Sequence, residues 1–168
     1  MPVLSLTIRH DGLLSIVAPL GAAAAVGTAL VVDLAPDAPP LPGGRRTVAD
    51  LVADGPSAED LTPHRRGVAV LRSGGVDADA AGDVLAALRQ GWPFVVERRP
   101  SAGIVVAPVF GPPSDAVVHQ PTGLVPVPSD LPGIVLPRLS PSTARRLLTG
   151  REAGGRWVRA WRRVWRST

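Results

Sequence analysis

The chain has 168 residues, enough for one domain with a substantial core plus an appended segment. Its apolar fraction of 45% and charged fraction of 19% are typical of a globular protein, despite 19 prolines and 18 glycines. The absence of cysteine excludes disulfides, thiolate metal sites and thiol nucleophiles, and the absence of lysine excludes Schiff-base and phosphate-loop lysines. Every strongly basic side chain is therefore an arginine, a bias that a GC-rich genome also explains.

Charge is divided unevenly along the chain. Residues 1–137 hold 9 arginines and 13 acidic residues, whereas residues 138–168 hold 9 arginines and one acid, Glu152. A mildly acidic body with a strongly basic end predicts that this end meets an anionic partner.

The first 33 residues have the pattern of a β-α-β unit. "VLSLTI" at 3–8 and "TALVVD" at 28–33 are typical of buried strands. Residues 12–27 are apolar on all sides, as in a helix that covers a sheet. An alternative is a membrane span or export signal, because residues 13–32 carry no charge over about the length that crosses a bilayer. Pro19 within this stretch and Asp33 directly after its end argue against that alternative.

Helices and strands then alternate as far as residue 110. Two capping boxes, Thr47 with Asp50 and Ser57 with Asp60, predict two short helices. Further strands are predicted at 67–71, 93–97 and 102–110, with a helix between the first two that ends at Gly91. This order predicts an α/β fold with a mainly parallel sheet of four or five strands, flanked by helices in a Rossmann-like or P-loop-like layering.

The last third of the chain changes character, because nine prolines fall within residues 108–141. This predicts three regions: an α/β core at 1–110, a proline-rich extended arm packing on it at 111–139, and a basic helical region at 140–168. "GIVL" at 133–136 could form a last strand. Ser140 and Gly150 mark the start and end of a short helix.

One short motif resembles a known family. "VVDLAPD" at 31–37 stands where the ParA/MinD family of deviant-Walker ATPases has an acidic motif after its second strand. Asp33 and Pro36 keep the pattern, and Ala35 replaces a second aspartate. The order of elements over residues 3–110 and "TVADLVADG" at 47–55 are similar as well. The resemblance implies a nucleotide-binding type of fold, with Asp33 as a candidate cofactor-binding residue.

The chain departs from that family where phosphate would bind. "RHDGLLS" at 9–15 has one glycine and no lysine, so it lacks the loop that cradles phosphates. The resemblance therefore implies a degenerate relative, a pseudo-ATPase that binds without hydrolysing and needs no cofactor. Two alternatives stay open: an aspartate that follows a strand in an unrelated α/β domain, and a small enzyme with an unrecognised site near Asp33.

Other titratable residues give weaker signals. His10, His64 and His119 are far apart in sequence and show no metal-binding spacing, so no metal site is predicted. Three arginine pairs, at 45–46, 65–66 and 98–99, fall at predicted ends of elements. They are expected to be solvated, although together they could line an anion site.

The final segment, "RWVRAWRRVWRST" at 156–168, is strongly amphipathic. At about 100° per residue, the apolar side chains fall within an arc of roughly 160° and the arginines fill the opposite arc. The candidate residues for binding an anionic surface are Arg156, Trp157, Arg159, Trp161, Arg162, Arg163, Trp165 and Arg166.

Three arrangements of this helix are considered: docking of the tryptophans on the body, insertion into an anionic membrane, and arginine contacts to nucleic acid. The functional hypothesis is a noncatalytic ParA/MinD-like binding or scaffolding module that this helix localises, with a membrane preferred as the partner. Nucleic acid is the alternative partner, and an acidic protein or a homodimer is a further option. The expected location is cytoplasmic, peripheral at the inner face of the membrane.

Overall fold

A single all-parallel sheet of seven strands organises the chain in the order β3-β2-β4-β1-β5-β6-β7. The structure is a computed structural model that describes residues 2–9, 12–63, 66–101, 103–109, 116–123 and 126–168. The strands are β1 (Val3–Ile8), β2 (Ala29–Asp33), β3 (Val68–Leu71), β4 (Val95–Arg98), β5 (Ile104–Pro108), β6 (Val118–Gln120) and β7 (Ile134–Val135). The predicted α/β class is confirmed.

Helices lie on both faces of the sheet. They are α1 (Gly12–Val26), α2 (Val48–Asp54), α3 (Ala58–Leu61), α4 (Gly82–Gly91), α5 (Pro141–Leu148) and α6 (Arg156–Trp165). One hydrophobic cluster joins α1, α5 and α6 to one face, and a second joins α2 and α4 to the other face over β2 and β4.

Helix α1 is apolar on all sides because it lies between two layers. It packs on β1, β2 and β4 with one side and on α5 and α6 with another, and ten of its 15 residues are buried. Pro19 lies inside it. Among the described residues, no helix combines the length and apolar character needed to cross a bilayer.

The predicted number of four or five strands is wrong, because the sheet has seven. β7 confirms the strand suggested at 133–136, but β6 was missed. β6 has only three residues within a proline-rich stretch, too few to show a period-2 pattern. The segment predicted as an arm packing on the core thus supplies two strands of the sheet itself.

Both predicted capping boxes are present. The Thr47 hydroxyl accepts from the Asp50 N–H at 3.2 Å, and the Thr47 N–H donates to the Asp50 carboxylate at 2.8 Å. Hydrogen bonds from the Thr47 backbone and then its side chain lower the pKa of Asp50 below its ordinary value of 3.8.

Candidate functional sites

Asp33, the candidate cofactor-binding residue, ends β2 in a buried ion pair with Arg98 of β4. The register of these neighbouring strands places the two residues side by side. Arg98 Nε donates to Asp33 Oδ1 at 2.9 Å, and Nη2 donates to Oδ2 at 2.6 Å. Oδ1 also accepts from the Ala35 N–H at 3.1 Å. With Asp33 4% exposed and Arg98 1% exposed, this bidentate pair is shielded from water.

The remaining guanidinium nitrogen of Arg98 binds two backbone carbonyls, one of them in α1. Its Nη1 donates to the carbonyls of Ser15 at 3.2 Å and Pro39 at 2.8 Å. The Ser15 carbonyl lacks the usual helical donor four residues on, because Pro19 has no N–H. Arg98 thus stabilises both the break that Pro19 makes in α1 and the charge of Asp33.

A second buried carboxylate, Glu97, lies next to Arg98 on β4. It is fully buried and accepts from Arg89 of α4 at 2.6 Å and from Arg99 at 2.9 Å. The Ser5 hydroxyl donates to it at 3.2 Å. The expectation that the pair 98–99 is solvated is therefore wrong. Asp33 of the neighbouring strand binds Arg98, a pairing that sequence spacing cannot show, whereas Glu97 binds Arg99 two residues further along the chain.

The three histidines were the other titratable candidates for a site. His10 and His64 lie outside the described residues. His119 lies on β6, four strand positions from β2, which corresponds to about 19 Å. It is buried, and its Nε2 donates to the Pro132 carbonyl at 2.7 Å. The described residues also contain no cluster of acidic, histidine or cysteine side chains suited to a metal ion.

At the other end of the chain, α6 docks on α1 through its tryptophans. Trp157 is 2% exposed and Trp161 is fully buried, and their rings pack edge to face at 5.7 Å. Trp157 Nε1 donates to Gln120 of β6 at 2.6 Å. A side chain at Gly21 of α1 would overlap the Trp157 ring, with its Cβ 2.2 Å from the nearest ring atom. Gly21 is therefore needed for this close approach.

The far end of α6 is tied to the last turns of α1. Trp165 is half-buried, packs edge to face against Phe94 at 5.5 Å, and donates to the Ala22 carbonyl at 2.9 Å. Arg162 Nε donates to the Ala25 carbonyl at 3.0 Å, a favourable position for a cation at a helix C-terminus. These contacts fix which side of α6 faces outward.

The outward side of α6 is a face of exposed arginines. All five α6-region candidates, Arg156, Arg159, Arg162, Arg163 and Arg166, are exposed. The other four arginines of residues 138–168 are exposed as well: Arg138, Arg145, Arg146 and Arg151. We call the five arginines of the α6 region the arginine face. None of the nine arginines forms an ion pair with a described residue, although three donate to backbone carbonyls.

The set of surface-binding candidates is thereby divided. The structure places the arginines outside as expected, but Trp157 and Trp161 are in the core and cannot touch an outside surface in this arrangement. Amphipathicity alone could not decide this, because a helix docked on a protein and one docked on a membrane need the same pattern. Gly21 was a signal for docking, but its role appears only once α1 and α6 are in contact.

Comparisons with known proteins do not identify a family. No protein-family model matches the chain, and no significant match was found among curated proteins or solved structures. The ParA/MinD resemblance accordingly stays a prediction.

Proposed function

We propose that this chain is a noncatalytic binding module that holds the arginine face against the phosphate backbone of a nucleic acid. The observation that carries the proposal is the division of α6: Trp157 and Trp161 are buried inside the protein, and its arginines are exposed without an acidic partner among the described residues. Unpaired guanidinium groups on a rigid helix are suited to phosphate contacts, which supply most of non-specific nucleic-acid affinity.

Four of these arginines are spaced as one stripe along α6. Arg156, Arg159, Arg163 and Arg166 follow each other at intervals of three or four residues, which keeps them on one side of a helix. Contacts of this kind position a protein on the backbone without reading base sequence. Binding should therefore depend on salt and only weakly on sequence.

The noncatalytic part of the proposal depends on Asp33 and Arg98. Both Asp33 oxygens are already occupied by protein donors, so binding a cation or nucleotide there would require Arg98 to leave a buried pair. Leaving either charge unpaired in the interior costs several kcal/mol, roughly 3–5. This agrees with the hypothesis of a degenerate nucleotide-binding fold, in which an internal cation replaces the ligand.

An anionic membrane is the other partner that the sequence suggests. Among the described residues, the large exposed apolar side chains are Leu13, Val52, Val117 and Leu148, and only Leu148 belongs to the C-terminal region. Insertion of tryptophans into a bilayer would require α6 to undock from α1. The docked state therefore favours nucleic acid, and membrane binding becomes an outcome of the test.

The test is an anisotropy titration of labelled duplex DNA with the full chain over a series of salt concentrations. The double variant Arg156→Ala/Arg159→Ala should weaken binding and reduce the slope of log affinity against log salt by about 2, one unit per lost phosphate contact. Neither side chain has a partner within the described residues, so the fold should tolerate the change.

The matched control is Arg45→Ala/Arg66→Ala, which removes the same charge from exposed positions that are distant in sequence from α6. An equal loss in this control would mean that net charge alone drives binding. A parallel titration with phosphatidylglycerol vesicles follows tryptophan emission. A vesicle-induced blue shift, together with no DNA binding, would replace the proposal with undocking of α6 onto a membrane.

A further inference from the structure

The edge of the sheet at β3 offers a second candidate site. Among the strands of the described residues, β3 lies at the edge and has β2 as its one neighbour. The Ala29 N–H donates to the Gly67 carbonyl at 3.2 Å, which sets the alternation of the parallel ladder. Val68 and Val70 therefore direct their N–H and C=O groups away from β2, towards the open side.

Only part of this edge is covered by the chain itself. Thr47 forms a bridge with Arg72, and the Val48 N–H donates to the Arg72 carbonyl at 2.7 Å. Gly44 lies so close to the Val70 carbonyl that a Cβ there would be 2.5 Å from the oxygen. Within the part of the chain that the structure describes, no strand pairs with the outer side of the stretch from Gly67 to the amide of Val70.

Two cavities flank this open stretch, one on each face of the sheet. The larger, about 1230 Å³, lies beside α1 and α5 and includes Leu20, Val26, Leu147 and Leu148 in its wall. The smaller, about 330 Å³, lies beside α2 and α4 and includes Leu51, Leu88 and Trp92. Both are lined by Gly44 and by residues 66–70.

The position of the cavities matches the geometry of an added strand. Side chains of a β-strand point alternately to the two faces of its sheet. A segment paired with Val68 and Val70 would therefore send alternate side chains into the larger and the smaller cavity. An added strand lies in the plane of the sheet, so its two faces address both cavities at once.

The charges at the rims indicate the chemistry of the occupant. Arg45, Arg66 and Arg151 line the cavities, are exposed, and form no ion pair within the described chain. Three acids also line the cavities: Asp60, which is paired with Arg46 at 2.6 Å, Glu59 in the smaller cavity and Glu152 in the larger. The four lining arginines, Arg46 included, outnumber these acids. A second copy fits poorly, because its own β3 is half-covered by residues 43–47 and would bring arginines against arginines.

We propose that the open edge of β3 and its two flanking cavities bind an extended segment of a partner protein, with apolar side chains interleaved with acidic ones, by strand addition. Main-chain hydrogen bonds to Val68 and Val70 would hold the segment. Its apolar side chains would fill the cavities, and its acidic groups would meet the rim arginines. This inference is independent of the nucleic-acid proposal.

The first step of the test is to select peptides on the intact protein from a displayed library of random heptapeptides. The most enriched peptide (the selected peptide) is then labelled with fluorescein, and its Kd is measured by anisotropy. We expect enrichment of aspartate or glutamate interleaved with apolar residues. Arg45→Ala/Arg66→Ala should raise the Kd of the selected peptide at least tenfold, whereas Arg156→Ala/Arg159→Ala should change this Kd less than twofold. The two double variants thus exchange the roles that they have in the DNA titration.

Backbone methylation of the peptide tests strand addition itself. N-methyl groups on every second residue should abolish binding in one register, where they remove amides paired to β3, and should be tolerated in the register shifted by one residue. No enriched peptide, equal sensitivity to both registers, or dependence on Arg156 and Arg159 instead would each overturn the proposal. None of these results would affect the DNA titration.

Discussion

Two groups of arginines in this protein have opposite surroundings. At the ends of β2 and β4, Arg98 and Arg99 are held by Asp33 and Glu97, and Arg98 is 1% exposed. On the arginine face, five guanidinium groups are exposed with no acidic partner among the described residues. The same side chain stabilises the interior in one place and remains available to a ligand in the other.

The comparison teaches that position within the sheet, not charge density, decides which arginines can bind. The pair 98–99 is as basic in sequence as the pair 162–163. Only the first lies where β4 and its neighbour β2 each supply an acid, Glu97 and Asp33, so only the first is neutralised internally. The arginines at the carboxyl ends of β2 and β4 are thus neutralised inside the protein, whereas those of the arginine face remain available to a ligand.

The largest effect should come from breaking the buried pair. Arg98→Met leaves Asp33 buried without its partner, so the free energy of unfolding should fall by about 3–5 kcal/mol in urea denaturation. Arg159→Met, on the arginine face, should change it by less than about 0.5 kcal/mol. The double variant Asp33→Leu/Arg98→Met should recover most of the loss, since neither charge then remains. If Arg98→Met and Arg159→Met cost the same, the distinction between the two groups fails.

A smaller effect tests the docking that turns the arginine face outward. Gly21→Ala forces a methyl group against the Trp157 ring, so the free energy of unfolding should fall by about 1–3 kcal/mol. Gly12→Ala, at the start of the same helix, meets nothing within 4 Å and is the matched control. It should be neutral or slightly stabilising, because alanine favours helix. An unchanged Gly21→Ala protein would mean that α6 does not dock on α1.

The smallest effect concerns a charge that belongs to neither group. Thr47→Ala removes one of the hydrogen bonds that lower the pKa of Asp50, so this pKa should rise part of the way to 3.8 in an NMR titration. In the folded wild type the pKa lies below its unfolded value. The stabilisation by ionised Asp50 is therefore complete above about pH 4 and lost as the pH falls through the folded pKa.

A Ser57→Ala variant, which alters the other capping box, should leave the Asp50 titration where it is in the wild type. A pKa that stays low in Thr47→Ala would assign the shift to the backbone N–H of residue 47 alone.

Much of the fold could be predicted because its signals are local. β1 was predicted at its observed bounds, and α1 and β2 within a residue, because continuous apolar runs bounded by charge or glycine are typical of buried elements. Both capping boxes were correct for the same reason, since they involve residues three apart. β6 was not predictable, because three residues between prolines carry no periodicity and pair only through β5 and β7.

The candidate sites were predictable only in part. The arginines of α6 and the importance of Asp33 could be recognised from composition and position. The partner of Asp33 could not, because Arg98 is 65 residues away and adjacency follows from the order β2-β4 in the sheet. The two cavities beside β3 were also invisible, since they are formed by segments that meet only at the sheet edge.

The sequence by itself determined the α/β class, the helix and strand order, and a basic amphipathic end, because periodicity and charge act over a few neighbouring residues. The tertiary structure alone decided which charges are free and which aromatic side chains are exposed. Those properties depend on contacts between distant segments: α6 with α1, and β2 with β4. Burial in such contacts sets whether an arginine pairs inside the protein or remains open to a partner.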